Sequence, residues 1–223
     1  MRINANFEER ALAHTTDMPW EPSPMPGVSR RMLDRVGEEV ARATSIVRYD
    51  PGSQFSPHVH GGGEEFLVLD GIFQDEHGDF PTGTYVRNPI NTEHTPASEQ
   101  GCEIFVKLWQ FGTSETDILR VDTNNLLLQT ADNPQVTCAT LFENSDETVA
   151  IECWAAQTEV QLQHAGGAEI LVIDGSFTLN NEQFSRHSWL RLPQGENAIA
   201  SAGSEGARIW TKRGHLRHIR IPG

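Results

Sequence analysis

Apolar residues along this chain fall in short runs. Residues 44–49, 66–69, 104–109, 170–173 and 208–212 carry many of them and are rich in Val, Ile, Phe and Trp. Gly, Pro, Asn or Asp bounds most of these runs, and helical periodicity is scarce. β-branched and aromatic residues set between turn formers are the pattern of strands. Many short strands broken by turns predict an all-β sandwich or barrel.

The pattern also repeats. GGGEEFLVLDG at 61–71 matches AGGAEILVIDG at 165–175 in seven of eleven positions, at an offset of 104 (165 against 61). TYVRNP at 84–89 meets SWLRLP at 188–193 at the same offset, and GCEIFVKLW at 101–109 meets GARIWTKRG at 206–214 one residue further on. PGVSRRMLDR at 26–35 corresponds loosely to PQVTCATLFE at 134–143. Similarity that keeps its order along the chain means two copies of one unit. The expected lobes are 1–119 and 120–223, with the join between 119 and 133 and a turn at Asp132-Asn133-Pro134.

Candidate chemistry concentrates in the first copy, as Gly52-x5-His58-x-His60-x3-Glu64-x6-Gly71. Residues two apart on a strand share a face, so His58 and His60 can present two imidazoles to one point. Gly61–Gly63 turns the chain, and Glu64 or its neighbour Glu65 can add a carboxylate. His94, between NPINTE and TP, is a candidate fourth donor. Three imidazoles and one carboxylate suit Zn first, with Fe, Ni or Mn, and also Cu, as alternatives; Mg and Ca are disfavoured. In the second copy His60 maps to His164, but His58, Glu64 and His94 map to Leu162, Ala168 and Ala198. His164 and Glu169 alone cannot close a site, so the second lobe is expected to be metal-free. Its core residues Leu171, Val172, Ile173, Trp189, Ile209 and Trp210 are retained.

Composition narrows the setting. The 223 residues suffice for two barrels of about 100 residues each. Hydrophobic content of 37% supports modest cores, and ten Phe and five Trp need apolar surroundings. A net charge of -14 repels a phosphate backbone and argues against nucleic-acid binding. Three cysteines without a CxxC pair argue against a disulfide framework and a zinc finger. The N-terminus lacks a basic start followed by an apolar run, and no stretch approaches a membrane span of ~18 residues. These features place the protein in the cytoplasm, away from membranes, with reduced cysteines.

The His-x-His-x3-Glu-x6-Gly spacing, followed by Pro81, Gly83 and His94, resembles the two motifs of the cupin superfamily. The loop from Gly83 to His94 is longer than in the general motif. HVHGGGEEFLVLDG, PTGTYVRNP, His94-Thr-Pro and GCEIFVKLWQF look most like a ChrR-like cupin domain, the cupin domain of an anti-sigma factor. The likeness is strong over residues 17–112 and weak over 134–214. It implies a double-stranded β-helix, or jelly-roll barrel, in two tandem lobes, with His58, His60, Glu64 and His94 as ligands; the Glu-x6-Gly spacing selects Glu64 over Glu65. It also implies a homodimer, since cupins often pair through sheet edges, with pairing of the two lobes within one chain as the alternative.

Strand alternation puts Phe105, Lys107 and Trp109 on one face, and these with Phe66 are the candidate pocket residues. Lys107 is flagged as a ligand contact. Cys102 is expected to be buried near a strand start, with redox sensing as the alternative. Trp20 is expected to anchor the proline-rich N-terminal arm, and His215 and His218 to lie in a solvated basic tail, RGHLRHIR.

Two functions are consistent with these residues. One is a regulatory protein that senses a small molecule or an oxidant through its metal, with a sigma factor as partner. The ChrR resemblance favours it, although the family's zinc-binding anti-sigma segment with a CxxC has no match in this sequence. The other is a metal-dependent dioxygenase acting on a diketone or hydroxyketone. No separate acid–base pair supports an isomerase.

Overall fold

The computed structural model describes residues 1–163 and 165–222; His164 lies outside the described residues. Strands dominate them, with three short 3-10 turns and no α-helix. Among the described residues no helix is long and apolar enough to cross a membrane.

The chain divides into two compact units, each a jelly roll with its core between sheet layers. In the first, the strands run in the spatial order Val28–Gly37, Ala41–Tyr49, Cys102–Leu108, Glu64–Asp75, Thr84–Asn88 and Leu119–Asp122. In the second, the order is Val136–Glu143, Thr148–Trp154, Asn197–Arg213, Ala168–Leu179, Trp189–Leu192 and Ala11–Ala13. The repeated sequence blocks occupy the same places in both sheets.

The final strand of each series departs from a simple division at residue 119. Leu119–Asp122 pairs with Thr84–Asn88, so the chain to Asn125 groups with the first unit. Ala11–Ala13 pairs with Trp189–Leu192, so Asn6–Met18 groups with the second. Met1–Ala5 and the chain from Arg220 onward group with the first. Each added strand covers an edge that would otherwise expose unpaired backbone groups.

The first core gathers Val28, Tyr49, Phe66, Val68, Phe73, Val86, Ile104 and Val106. The second gathers Trp154, Leu162, Val172, Phe177, Phe184, Ala198 and Ile209. Leu171, Trp189 and Trp210 are also buried, whereas Ile173 is half-buried. His215 is buried too, with Nε2 3.1 Å from Glu169 Oε2, which removes it from the solvated tail expected for it; His218 is exposed. Trp20 lies under two guanidiniums, with Arg31 and Arg48 at 4.2 and 4.0 Å from its ring centre.

Candidate metal centre

Four residues converge at one end of the first barrel. His58 lies in the short strand His58–Val59, which pairs with Glu93–His94 so that His58 and His94 face each other directly. His60 is tied to the neighbouring turn: its N–H donates to the Thr92 carbonyl at 2.9 Å, and its carbonyl accepts from Asn91 N–H at 2.9 Å. Glu64 opens the long Glu64–Asp75 strand. One donor atom from each of His58, His60, Glu64 and His94 lies within 4.8 Å of all the others.

The glycine run between His60 and Glu64 does more than turn the chain. A Cβ on Gly62 would sit 2.3 Å from the Trp109 indole, and one on Gly63, at φ +76°, 2.3 Å from the Phe111 ring. Trp109 and Phe111 N–H donate to the Gly63 and Gly62 carbonyls at 3.1 and 3.2 Å. Only glycine lets the backbone approach these rings so closely, and the packed loop fixes the spacing of His60 and Glu64.

Hydrogen bonding orients every imidazole. His58 Nδ1 donates to the Ser56 carbonyl at 3.1 Å, and His94 Nδ1 donates to Asp75 Oδ2 at 3.1 Å. His60 Nδ1 lies 2.9 Å from Thr92 Oγ1, whose single proton goes to the Pro89 carbonyl at 2.7 Å. Thr92 must therefore accept from His60, which makes Nδ1 the protonated nitrogen. In all three rings Nε2 keeps its lone pair. This is how protein frameworks prepare histidine ligands.

His60 Nε2 and His94 Nε2 each lie 3.3 Å from Glu64 Oε2. Both nitrogens are buried without a hydrogen-bond partner among the described residues. Two orphaned acceptors beside a buried carboxylate call for a cation. The set of three imidazole nitrogens and one carboxylate oxygen fits a borderline transition metal. Burial alone would raise the Glu64 pKa; when the metal-free rings are protonated, a hydrogen bond from His60 and the charges of His60, His94 and His58 hold it down to about 2. Asn88 Nδ2 donates to Glu64 Oε2 at 3.2 Å. Burial lowers the pKa of His58; at His94 burial is outweighed by the hydrogen bond to Asp75 and by the Glu64 charge, and the pKa rises.

Glu65 points elsewhere. It accepts from Arg87 Nη1 at 2.7 Å and from the Tyr85 hydroxyl at 2.6 Å in a buried network. Glu64 is the carboxylate that meets the imidazoles.

A cavity of about 720 Å³ adjoins the donors, with His58, His60 and Glu64 in its wall. Trp109 lines it, together with Ile104, Val106 and Leu108. Phe105 and Lys107, expected on the pocket face, occupy the other face of the same strand. Alternation sets which residues share a face, and the face turned inward is that of 104, 106 and 108. Trp109 joins them because its φ of +61° breaks the alternation. Lys107 is buried and donates to Thr44 Oγ1 at 2.8 Å, a structural bond rather than a ligand contact. Phe66 packs in the core against Phe73, with ring centres 4.6 Å apart, and does not reach the cavity wall. Sequence reasoning missed Asp75, which lies eleven residues beyond Glu64 on one continuous strand, without a motif to mark it.

Residues 8–112 match the ChrR cupin-like domain family. The anti-sigma-E factor ChrR of Cereibacter sphaeroides is 40% identical over 78 residues, a match spanning 34% of this chain and 35% of that protein. Among solved structures, a candidate dioxygenase from Nostoc punctiforme aligns over 97% of this chain and 87% of its own, with a TM-score of 0.78 at 13% identity. The Escherichia coli pirin YhhW, solved with nickel(II), aligns over 92% of this chain and 97% of its own, with a TM-score of 0.66 at 14% identity. At such identities the likeness is one of fold, and the match to the ChrR cupin-like family is local, confined to residues 8–112.

Proposed function

We propose that the first lobe holds one divalent transition-metal ion at His58, His60, Glu64 and His94. With the adjoining cavity, this ion forms the small-molecule or oxidant-sensing site of a regulatory protein. The observation that carries the reading is the convergence of lone-pair nitrogens, set by their Nδ1 hydrogen bonds, on Glu64.

Zinc is the first choice for this donor set, with iron, nickel or manganese as alternatives. When bound, such an ion supplies Lewis acidity beside the cavity. Asp75 and Thr92 hold the rings of His94 and His60 in register, and Asn88 holds the carboxylate. Ile104, Val106 and Leu108 present an aliphatic wall beside the donors. A sigma factor as partner, cytoplasmic placement and a homodimer belong to the same proposal; the first rests on the local match to ChrR.

A second reading is a metal-dependent dioxygenase acting on a diketone or hydroxyketone. The size of the cavity beside the donors favours it, since drug-sized ligands occupy about 300–1,000 Å³. The activity named for the Nostoc protein enters only as a suggestion, because fold does not carry function.

Elemental analysis of protein purified without a His tag, paired with oxygen uptake on a panel of diketones, separates the two. Zinc without turnover, and co-purification with a sigma factor, supports the regulator. Iron with oxygen uptake supports the enzyme. Metal-free protein whose properties do not change in His58→Ala would sink both.

A further inference from the structure

Besides His58, His60 and Glu64, the cavity is lined by Arg30, Arg35, Glu38 and Glu39. Arg35 donates to the carbonyls of Glu38 and Glu39, and Glu38 pairs with the Met1 α-amino group. Glu39 is exposed at the rim. Arg30 is different. It projects from the Val28–Gly37 strand on the same face as Val28, opposite Val47 in register, and all three line the cavity. Its Nε is buried with no hydrogen-bond partner among the described residues. Glu21, its neighbour on the other side, is exposed and makes no ion pair with it among the described residues. Val28, Val47, Tyr49, Phe55, Ile104 and Val106 line the same cavity, with the hydroxyls of Ser23 and Ser45 beside them.

Arg30 as a whole is half-buried, but a buried N–H donor without an acceptor is costly, and native structures rarely leave one without a reason. Its planar fork matches a carboxylate. Arg35 lies near enough for the Arg30 charge to lower its pKa, after burial and against the opposing pull of Glu38, so two guanidiniums share this part of the cavity.

We infer that the cavity takes an organic anion, a carboxylate with an apolar body, which Arg30 binds through its guanidinium while the body lies along the aliphatic wall beside the four donors. This inference rests on the reading of the first lobe as a ligand-binding site and adds the class of ligand.

The test is calorimetric titration of the zinc-loaded full chain with octanoate, and with 1-octanol as its uncharged match, the metal content of each sample being measured in parallel. Octanoate is expected to bind at least about tenfold tighter than octanol, as a charge-assisted hydrogen bond allows. Arg30→Ala and Arg30→Gln should lower octanoate affinity to the octanol level and leave octanol binding unchanged, with Arg30→Lys retaining part of the preference. Unaltered thermal melting of the variants would show that the loss is local. Octanoate binding no better than octanol, no binding of either, or octanoate affinity unchanged in Arg30→Ala would overturn the inference while leaving the metal reading intact in zinc-loaded samples. A chain that takes up no zinc yet keeps an Arg30-dependent preference for octanoate would uphold the anion site and overturn the metal reading.

Discussion

One pair of cross-strand positions carries two imidazoles in the first lobe and two aliphatic side chains in the second. His58 faces His94 in register, and at the same offset of 104 Leu162 faces Ala198. Glu64 becomes Ala168, and Asp75, the hydrogen-bond partner of His94, becomes Leu179. All four second-lobe residues are buried, and Leu162, Leu179 and Ala198 belong to the core. Other features persist in both. Gly71 and Gly175 each have φ +71°, Phe73 and Phe80 recur as Phe177 and Phe184, and the buried pair Glu65 and Arg87 recurs as Glu169 and Arg191. The barrel is thus encoded by what the lobes share, and the polar site by what only one has. Polar donors survive inside a barrel only where something repays their burial.

The comparison can be broken most severely by grafting the site backwards. Leu162→His, Ala168→Glu and Ala198→His, which with His164 restore the four residue types, would in metal-free protein bury three polar groups where Leu179 and Leu192 replace Asp75 and Asn88, at about 1–3 kcal/mol each. The second lobe should then lose its cooperative unfolding transition by calorimetry, while the first keeps its own. Asp75→Asn comes next. Removing the partner of a metal-binding histidine typically costs about 10–100-fold in affinity, and zinc titration of the variant should show a weakening in that range.

Gly71→Ala and Gly175→Ala sharpen the other side of the comparison. A Cβ would sit 2.1 Å from the Gly101 carbonyl oxygen in one lobe and 2.3 Å from that of Gly206 in the other. The left-handed backbone alone costs about 1–2 kcal/mol, so denaturant melts should show both lobes weakened to a similar degree. The smallest effect is expected at Cys102, whose counterpart one residue beyond the offset is Ala207. Burial pushes its thiol up to about 11, so iodoacetamide at pH 8 should leave it unmodified in the folded protein while half-buried Cys138 reacts. Rapid labelling of Cys102 would revive a redox role for it.

Much of this was legible in the sequence because the evidence was local. The His-x-His-x3-Glu spacing lies within seven residues, and the repeat is long enough to align. What escaped was either nonlocal or two-valued. Pairing of Ala11–Ala13 with Trp189–Leu192 joins segments nearly a chain length apart, and no local pattern announces it. Asp75 and Arg30 reach the site through strand geometry rather than spacing. Alternation grouped Phe105 with Lys107 correctly, yet it is silent on which face turns inward, and Lys107 proved to face Thr44.

The central claim is one metal site, built by the first lobe alone. The most direct test is metal content per chain, by elemental analysis after zinc loading and dialysis, for the wild type and for a variant in which His58→Leu, Glu64→Ala and His94→Ala give the first lobe the residues of the second. One ion per chain in the wild type and none in the folded variant is the predicted result. Two ions per chain, no ion in the wild type, or an undiminished ion in the variant would contradict it.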